Sequence, residues 1–344
     1  MARRNTRKTI EDLLSPYSAE LQSAFISAIQ DIKDGAELAS IVRALERMDI
    51  DAAIRALGID ASAFAQLSIG QTSAYNAAGT MAAATIPRIP DPMGGASFIV
   101  RFNPGAPETV LRIAQQSGDA IVEIVQDQLT MARNHITEGL RAGQGPRAIA
   151  LDLVGRIDPR TRQRTGGAIG LTDVQASYVR NARDQLAGAD LRGFLSRKLR
   201  DKRYDKMILR SITDKKPLPK ATIDRIAKAY EASLLRARGE TIGRTEALSS
   251  LHMGQDEAFR QAVREGKLQP YMVRRVWRTA SDSRVRDSHG SMQGQSVGLD
   301  EPFVTGNGVR LMYPGDPSGP ASEIINCRCH VNTRIDFLSN IGRR

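Results

Sequence analysis

The stretch YMVRRVWRT, residues 271–279, marks the point at which a helical chain gives way to a different kind of fold. Valine, tyrosine and tryptophan occur here among arginines, a mixture typical of a half-exposed β-strand. Glycine and proline are frequent from there to residue 320, which indicates turns and short strands. We therefore predict a small, loop-rich α+β module over residues 267–334, followed by a tail over residues 335–344.

The residues before this module follow a helical pattern. Apolar side chains recur at steps of three and four residues between Ile10 and Ile32, and again between Ile121 and Leu140. This spacing places them on one face of a helix. A long helix is expected from Thr222 to about Glu265, bent or broken near one of its glycines. Together these patterns predict a mainly α protein with helical N-terminal and middle regions.

Proline divides the helical part of the chain in two. Five prolines fall between residues 87 and 107, and Gly94 and Gly95 lie among them. Because proline and glycine interrupt helices, we predict a linker or extended arm over residues 70–107. The N-terminal helical region is then residues 1–69, and a second helical domain covers residues 108–266.

Positive charge is concentrated in one segment. The 344 residues include 49 Lys and Arg against 38 Asp and Glu, a formal net charge of +11, and residues 190–220 alone hold eleven cations against four carboxylates. Long cationic side chains contact phosphates without reading bases, so we predict binding to double-stranded DNA of any sequence. A solvated basic surface and an acidic protein partner are the alternatives. The candidate DNA-binding residues are Arg192, Arg197, Lys198, Arg200, Lys202, Arg203 and Lys206.

The two cysteines of the chain, Cys327 and Cys329, lie two residues apart, with His289 upstream. Alternate residues of a strand point to the same side, so both thiols can face one site. Zinc takes four ligands, typically thiolates and imidazoles, and His330 or Asp287 is a candidate for the fourth. Two reduced thiols packed in a turn are the main alternative. A disulfide between residues so close in sequence would be strained.

The sequence gives little support for catalysis. It contains no Gly-x-Ser-x-Gly, Walker A or His-Glu-x-x-His motif. A hydrolytic site built from His289 with Asp282, Asp287, Glu323 or Cys327 is the alternative, but such polar residues also cap turns. We expect no enzymatic activity.

A set of short motifs, in order along the chain, resembles the Mu F-like phage head morphogenesis family. Beyond residue 240 the set covers about ninety residues, whereas residues 1–90 resemble no family. The motifs are Arg244-Thr245-Glu246-Ala247, Trp277-Arg278-Thr279-Ala280, Asp282 to His289, Met292 to Gln295, Tyr313 to Pro320, and Glu323 to Cys329.

The resemblance implies a minor head protein of a tailed bacteriophage. It implies a few copies, retained inside the capsid near the portal vertex after assembly in the host cytoplasm. The implied partners are the portal protein, a major capsid or scaffolding protein, and packaged DNA. Some family members carry a toxin or enzyme after this module; the chain ends soon after Cys329, so none is expected here.

An internal virion protein that is ejected with the genome is the alternative function. Helices that repack would be needed for ejection, and the glycines of the long helix are compatible with it. No stretch approaches the roughly 20 apolar residues that span a bilayer, so no membrane partner is expected.

Overall fold

The computed structural model describes residues 6–89 and 97–337. Within these ranges the chain forms twelve α-helices and seven short strands, and the one sheet with three strands lies near the C-terminus. The predicted fold class, mainly α with a small α+β module, is confirmed. None of the helices in this part of the chain is long and apolar enough to cross a membrane.

The chain divides into two compact units that are not consecutive in sequence. Unit 1 consists of Met1–Ser23, Gln66–Asp119 and Glu240–Arg344, and unit 2 of Ala24–Ala65 and Ala120–Gly239. Three long helices contribute residues to both units. They are α1 (Thr6–Gly35), α5 (Pro107–Arg141) and α10 (Lys220–Arg264).

Unit 1 contains the α+β module. Besides its parts of the long helices, its elements are α4 (Ala65–Thr85), β3 (Val273–Arg278), α11 (Asp287–Gly290), β4 (Ser296–Val297), β5 (Phe303–Val304), β6 (Arg310–Leu311), α12 (Ala321–Ile324) and β7 (His330–Ile335). The central sheet has the order β4-β3-β7 and is antiparallel, with Trp277 opposite Val331 and Arg278 opposite His330. Strands β5 and β6 form a separate ladder.

A buried charge network connects α10 to this module. Asp256 and Glu257 on α10 are almost fully buried. Arg112 on α5 donates to both carboxylates, at 2.7 Å to Asp256 and 2.9 Å to Glu257. Arg275 on β3 lies 3.6 Å from Asp256 and donates to the backbone carbonyls of residues 298, 301 and 312. These charge-assisted contacts fix the loops of the module on the long helix.

Unit 2 is helical around one apolar core. Phe194, Ile208 and Tyr230 are central to that core, and the rings of Phe194 and Tyr230 meet edge to face. Besides its parts of α1, α5 and α10, the unit contains α2 (Leu38–Glu46), α3 (Ile50–Arg55), α6 (Pro146–Val154), β1 (Arg156–Ile157), β2 (Arg164–Thr165), α7 (Asp173–Asp184), α8 (Leu191–Leu195) and α9 (Asp205–Asp214).

The predicted linker over residues 70–107 differs most from the structure. Residues 70–85 belong to helix α4, whose buried face is built largely from glycine, alanine and Tyr75. Residues 97–106 include Asn103, whose backbone N–H donates to Gln261 of α10 at 2.7 Å and whose carbonyl accepts from the same side chain at 3.1 Å. Residues 90–96 of the predicted arm lie outside the described residues, as do residues 338–344 of the predicted tail.

The long helix predicted from Thr222 to about Glu265 is α10, and it contains no break at its glycines. Two of its glycines permit close backbone contact instead. A Cβ atom at Gly243 would lie 2.4 Å from the carbonyl oxygen of Ser18, and one at Gly254 would lie 2.1 Å from that of Tyr75. These glycines therefore serve packing within unit 1.

Candidate metal centre and basic surfaces

Three short segments of unit 1 bring the predicted thiol and imidazole groups together. His289 lies on the single turn of α11, while Cys327 and Cys329 lie just before β7. Trp277 on β3 supports the site, because its ring meets that of His289 edge to face with 5.5 Å between the centroids. All three candidate ligands are buried, with at most 4% of their surface exposed.

Both sulfurs face the same ring nitrogen. Nδ1 of His289 lies 3.6 Å from Sγ of Cys327 and 3.5 Å from Sγ of Cys329. The backbone N–H of Cys329 also donates to the sulfur of Cys327 at 3.5 Å. Among the described residues, these three form a group whose ligand atoms all lie within 4.8 Å of one another. The structure therefore assembles the cluster that the sequence predicts.

Glu323 completes the surroundings of His289. Its Oε2 lies 3.0 Å from Nε2 of His289, although the pair does not have the geometry of a regular hydrogen bond. Ser288 and Asn307 donate to the two carboxylate oxygens at 2.8 and 2.9 Å. Burial raises the pKa of Glu323, but these two donors and His289 outweigh it and lower the pKa overall. An ionised carboxylate at Nε2 favours the tautomer with its proton there, so that Nδ1 presents a lone pair to the sulfurs.

The hydrogen bond between the two cysteines shifts their pKa values in opposite directions. The pKa of Cys327 is lowered well below its ordinary value, first because Cys329 donates to its sulfur and also because of His289. The pKa of Cys329 is raised, first because of that same bond to Cys327 and then because of burial. The two sulfurs therefore differ in acidity although they face the same imidazole nitrogen.

The proposed fourth ligands do not join the cluster. Neither His330 nor Asp287 belongs to the group of close ligand atoms. Burial lowers the pKa of His252 to about 3, and His330 lies close enough to lower it further, as expected for a side chain on the opposite side of the strand from Cys329. Asp282, named for a hydrolytic site, pairs instead with Arg328 through both carboxylate oxygens.

A cavity of about 680 Å³ beside the cysteines is lined by arginine. Arg328 separates the two cysteines in sequence, and Arg244 comes from α10. Burial, followed by the guanidinium groups of Arg328 and Arg284, lowers the pKa of Arg244. Three of the sequence motifs thus meet at one cationic surface. The lining residues are Arg244, Arg284, Arg286, Asn326 and Arg328.

Comparison with known proteins identifies the part of the chain that holds this site. Residues 218–332 match the family described as "Phage Mu protein F like protein". Residues 218–332 are thus similar to this family and are named the Mu F-like domain. The cysteines, His289, Glu323 and the arginine-lined cavity all lie inside the matched residues, and the resemblance inferred from the sequence is confirmed.

One curated relative extends the comparison. An uncharacterized protein of Bacillus subtilis strain 168, YqbB, is 28% identical to the chain over 104 residues. That alignment covers 29% of this chain and 32% of the relative, so the chain matches about a third of the relative's length. No solved structure matches the chain.

The basic segment, residues 190–220, lies in unit 2 and largely precedes the Mu F-like domain. Two of its candidate DNA-binding residues are engaged within the fold. Arg200 donates to both carboxylate oxygens of Asp205 at 2.9 Å, and Arg197 donates to Gln185 at 2.8 Å while lying over the ring of Tyr230. These contacts give both arginines a structural role that their charge alone does not indicate.

The other five candidates are exposed. Arg203 pairs with Asp201 at 2.6 Å but keeps 83% of its side chain accessible. The five exposed candidates are distributed from α8, through a 3-10 turn at Lys202–Tyr204, to α9. The DNA role stays a prediction, and its accessible members are Arg192, Lys198, Lys202, Arg203 and Lys206.

Proposed function

We propose that the chain is a minor head protein of a tailed phage, incorporated in a few copies with the portal. The observation that carries this proposal is the Mu F-like match over residues 218–332. The motifs on which the resemblance rests are not scattered over the domain, because three of them meet around the cysteines and the arginine-lined cavity. An architectural role accounts for such an arrangement without any chemical step.

The proposal includes no enzymatic activity. The Cys/His cluster is the strongest chemical constellation among the described residues of the domain, and its members are 1 to 4% exposed. A nucleophile or general base has to reach its substrate within hydrogen-bond distance. Burial of this degree instead suits groups that hold a small domain together.

Contact with packaged DNA is proposed for the exposed cations of the basic segment. Lys198, Lys202 and Lys206 extend into solvent, and within the described part of the chain none of them forms an ion pair, unlike Arg200. Lysine at such positions replaces the counterions that phosphates release on binding. This mode of contact reads no bases and suits a protein that meets whatever genome is packaged.

Attachment to the portal is proposed for the region up to residue 111. Large apolar side chains are exposed there, including Ile69 on α4 and Leu111 on α5, with 58% and 68% of their surfaces accessible. Ile99 is 53% exposed in the extended segment between these helices. These side chains are therefore the candidates for the portal-binding surface.

The experiment for the proposed function compares phage particles before and after genome release. Mature virions should contain the chain, and emptied heads should retain it together with the portal, as shown by mass spectrometry of purified particles. Cryo-electron microscopy of virions with and without the protein should then place additional density at the portal vertex. A protein absent from virions would refute the proposal, and one lost from emptied heads would favour ejection with the genome.

A further inference from the structure

We propose that His289, Cys327 and Cys329 bind one zinc ion, and that Glu323 orients His289 as a ligand through Nδ1. Hydrogen bonding alone does not satisfy these atoms. A neutral imidazole nitrogen has one lone pair in the ring plane, yet two sulfurs lie at nearly equal distances from it, 3.5 and 3.6 Å. One thiol can donate to that lone pair, whereas a cation between the three atoms satisfies all of them at once.

The distances between the three atoms match those around zinc. A tetrahedral zinc ion with Zn–S of about 2.3 Å and Zn–N of about 2.1 Å separates nitrogen from each sulfur by about 3.6 Å. The two distances in the structure agree with this value within about 0.1 Å. Both N–S distances are therefore those of a zinc site, and all three ligand atoms lie within 4.8 Å of one another.

The chemistry of the donors selects the metal. Two thiolates and an imidazole are soft and borderline ligands, which suit zinc and exclude a preference for Mg²⁺ or Ca²⁺. On binding, the thiol protons of Cys327 and Cys329 pass to solvent, and the Zn²⁺ charge balances the two thiolates. Cys329 borders a cavity of about 240 Å³, through which a fourth ligand can reach the ion.

The groups behind the ligands also fit a metal site. A histidine that binds metal through one nitrogen usually directs the other N–H to a carboxylate, which fixes the ring and its tautomer. Glu323 occupies that position at 3.0 Å from Nε2, and it is itself held by Ser288 and Asn307. The ligand, its carboxylate partner and the donors to that partner therefore form a complete arrangement around His289.

Zinc would join parts of the module that secondary structure leaves separate. His289 and Cys327 come from segments with no ladder between them. Strands β4, β5 and β6 have two residues each, and α11 is a single turn. Such short elements provide few cooperative backbone bonds, so a metal that links them stabilises the fold directly.

The test begins with the unaltered chain, purified without a polyhistidine tag or chelator. Inductively coupled plasma mass spectrometry should find about one zinc ion per chain. A strong chelator should release it, expose both thiols to a thiol reagent and lower the melting temperature. A metal-free protein with the same melting temperature in chelator, and with thiols that stay buried, would overturn the proposal.

Variants assign the ligands. Cys327→Ser, Cys329→Ser and His289→Ala should each lose most of the zinc, whereas the matched control His330→Gln should retain it. Because a ligand variant can fail to fold, cobalt is added to metal-depleted unaltered protein as a second measurement. A thiolate-to-cobalt charge-transfer band supports the site. Absence of that band, or full zinc content in both cysteine variants, contradicts it.

Discussion

Glu323 and His289 lie 3.0 Å apart, and the carboxylate contacts the ring nitrogen that faces away from Cys327 and Cys329. This relationship supports the proposed role of His289 as a metal ligand. A base would need an accessible nitrogen, whereas here one nitrogen faces a carboxylate, the other faces two sulfurs, and the ring is 1% exposed. The geometry favours a fixed ring in a structural centre.

The first prediction concerns this carboxylate. Glu323→Gln keeps an oxygen for Ser288 or Asn307 but removes the negative charge beside Nε2. We expect zinc affinity to fall by about 10- to 100-fold, the usual loss when such a partner is removed. Competition with a chromophoric chelator measures the affinity. Glu265→Gln, exposed just beyond the end of α10, is the control and should leave it unchanged; equal affinities in all three proteins would contradict the orienting role.

The second prediction concerns the packing of α4 on α10. Gly254→Ala places a methyl group 2.1 Å from the carbonyl oxygen of Tyr75, a backbone atom that cannot move independently. We expect the free energy of unfolding to fall by about 3 kcal/mol. Gly118→Ala is the matched control, because it is a helical, exposed glycine with nothing within 4 Å of the added atom. It should stabilise the protein by about 0.5–1 kcal/mol. Urea unfolding distinguishes the two, and equal effects would contradict the close contact.

The third prediction concerns the buried charge network. Burial raises the pKa of Asp256, but Arg112, Arg260 and Arg275 outweigh burial and lower it overall. Asp256→Asn leaves three guanidinium groups without this carboxylate, and we expect a loss of about 3–5 kcal/mol in the free energy of unfolding. Asp300 also pairs with Arg260, but its side chain is 67% exposed. Asp300→Asn is therefore the control and should change that free energy by less than about 1 kcal/mol.

The pH dependence provides a separate check on Asp256. Because its pKa is lower in the folded protein than the unfolded value of about 3.9, its stabilising contribution is complete above that pH. The contribution is lost as the pH falls through the lower, folded pKa. Thermal unfolding below about pH 4 should therefore depend on pH less steeply in Asp256→Asn than in the unaltered protein. If thermal stability falls equally steeply below about pH 4 in both proteins, Asp256 is not ionised in the folded state.

Local patterns explain which parts of the fold could be predicted from sequence. The stripes of α1, α5 and α10 contain large apolar residues, so their period is visible without tertiary information. The buried face of α4 consists largely of Gly70, Ala74, Ala78 and Ala82, a four-residue repeat of small side chains that carries almost no hydrophobic signal. Such a face becomes apparent only when a partner helix approaches it closely.

The candidate metal centre and the basic segment could also be predicted only in part from the sequence. His289, Cys327 and Cys329 could be named because few residue types bind zinc. The role of Glu323 could not, since it depends on α12 lying behind the ring of His289. Charge alone assigns Arg200 to DNA, and only the fold shows that Asp205 occupies its guanidinium group.

The fourth prediction concerns the portal. Truncation of the N-terminal region is a poor test, because Leu21 and Phe25 on α1 are fully buried and their removal would unfold the protein. Ile99→Glu and Leu111→Glu instead change exposed side chains. We expect each to reduce co-purification with the portal at least about 10-fold, because a buried, unpaired carboxylate opposes association. Val174→Glu on α7, comparably exposed, is the control; undiminished capture of both variants would place the portal contact elsewhere.

The fifth prediction concerns DNA. Lys198→Glu, Lys202→Glu and Lys206→Glu combined should weaken binding to duplexes of any sequence, because each replaces a cation that approaches phosphate with an anion. The logarithm of the binding constant should also depend less steeply on the logarithm of salt concentration, by up to about 0.9 for each phosphate that the variant no longer neutralises. Fluorescence anisotropy at several salt concentrations measures both quantities.

The control for this surface reverses the same amount of charge elsewhere in unit 2. Arg47, Arg55 and Arg141 are exposed and lie outside the basic segment, so their combined change to glutamate lowers the net charge by the same amount. If the basic segment binds DNA, the triple lysine variant loses much more affinity for DNA than the triple arginine control. Only the lysine variant then changes the salt dependence of binding. If both variants lose affinity equally, net charge rather than this surface drives binding, and the assignment to Lys198, Lys202 and Lys206 is wrong.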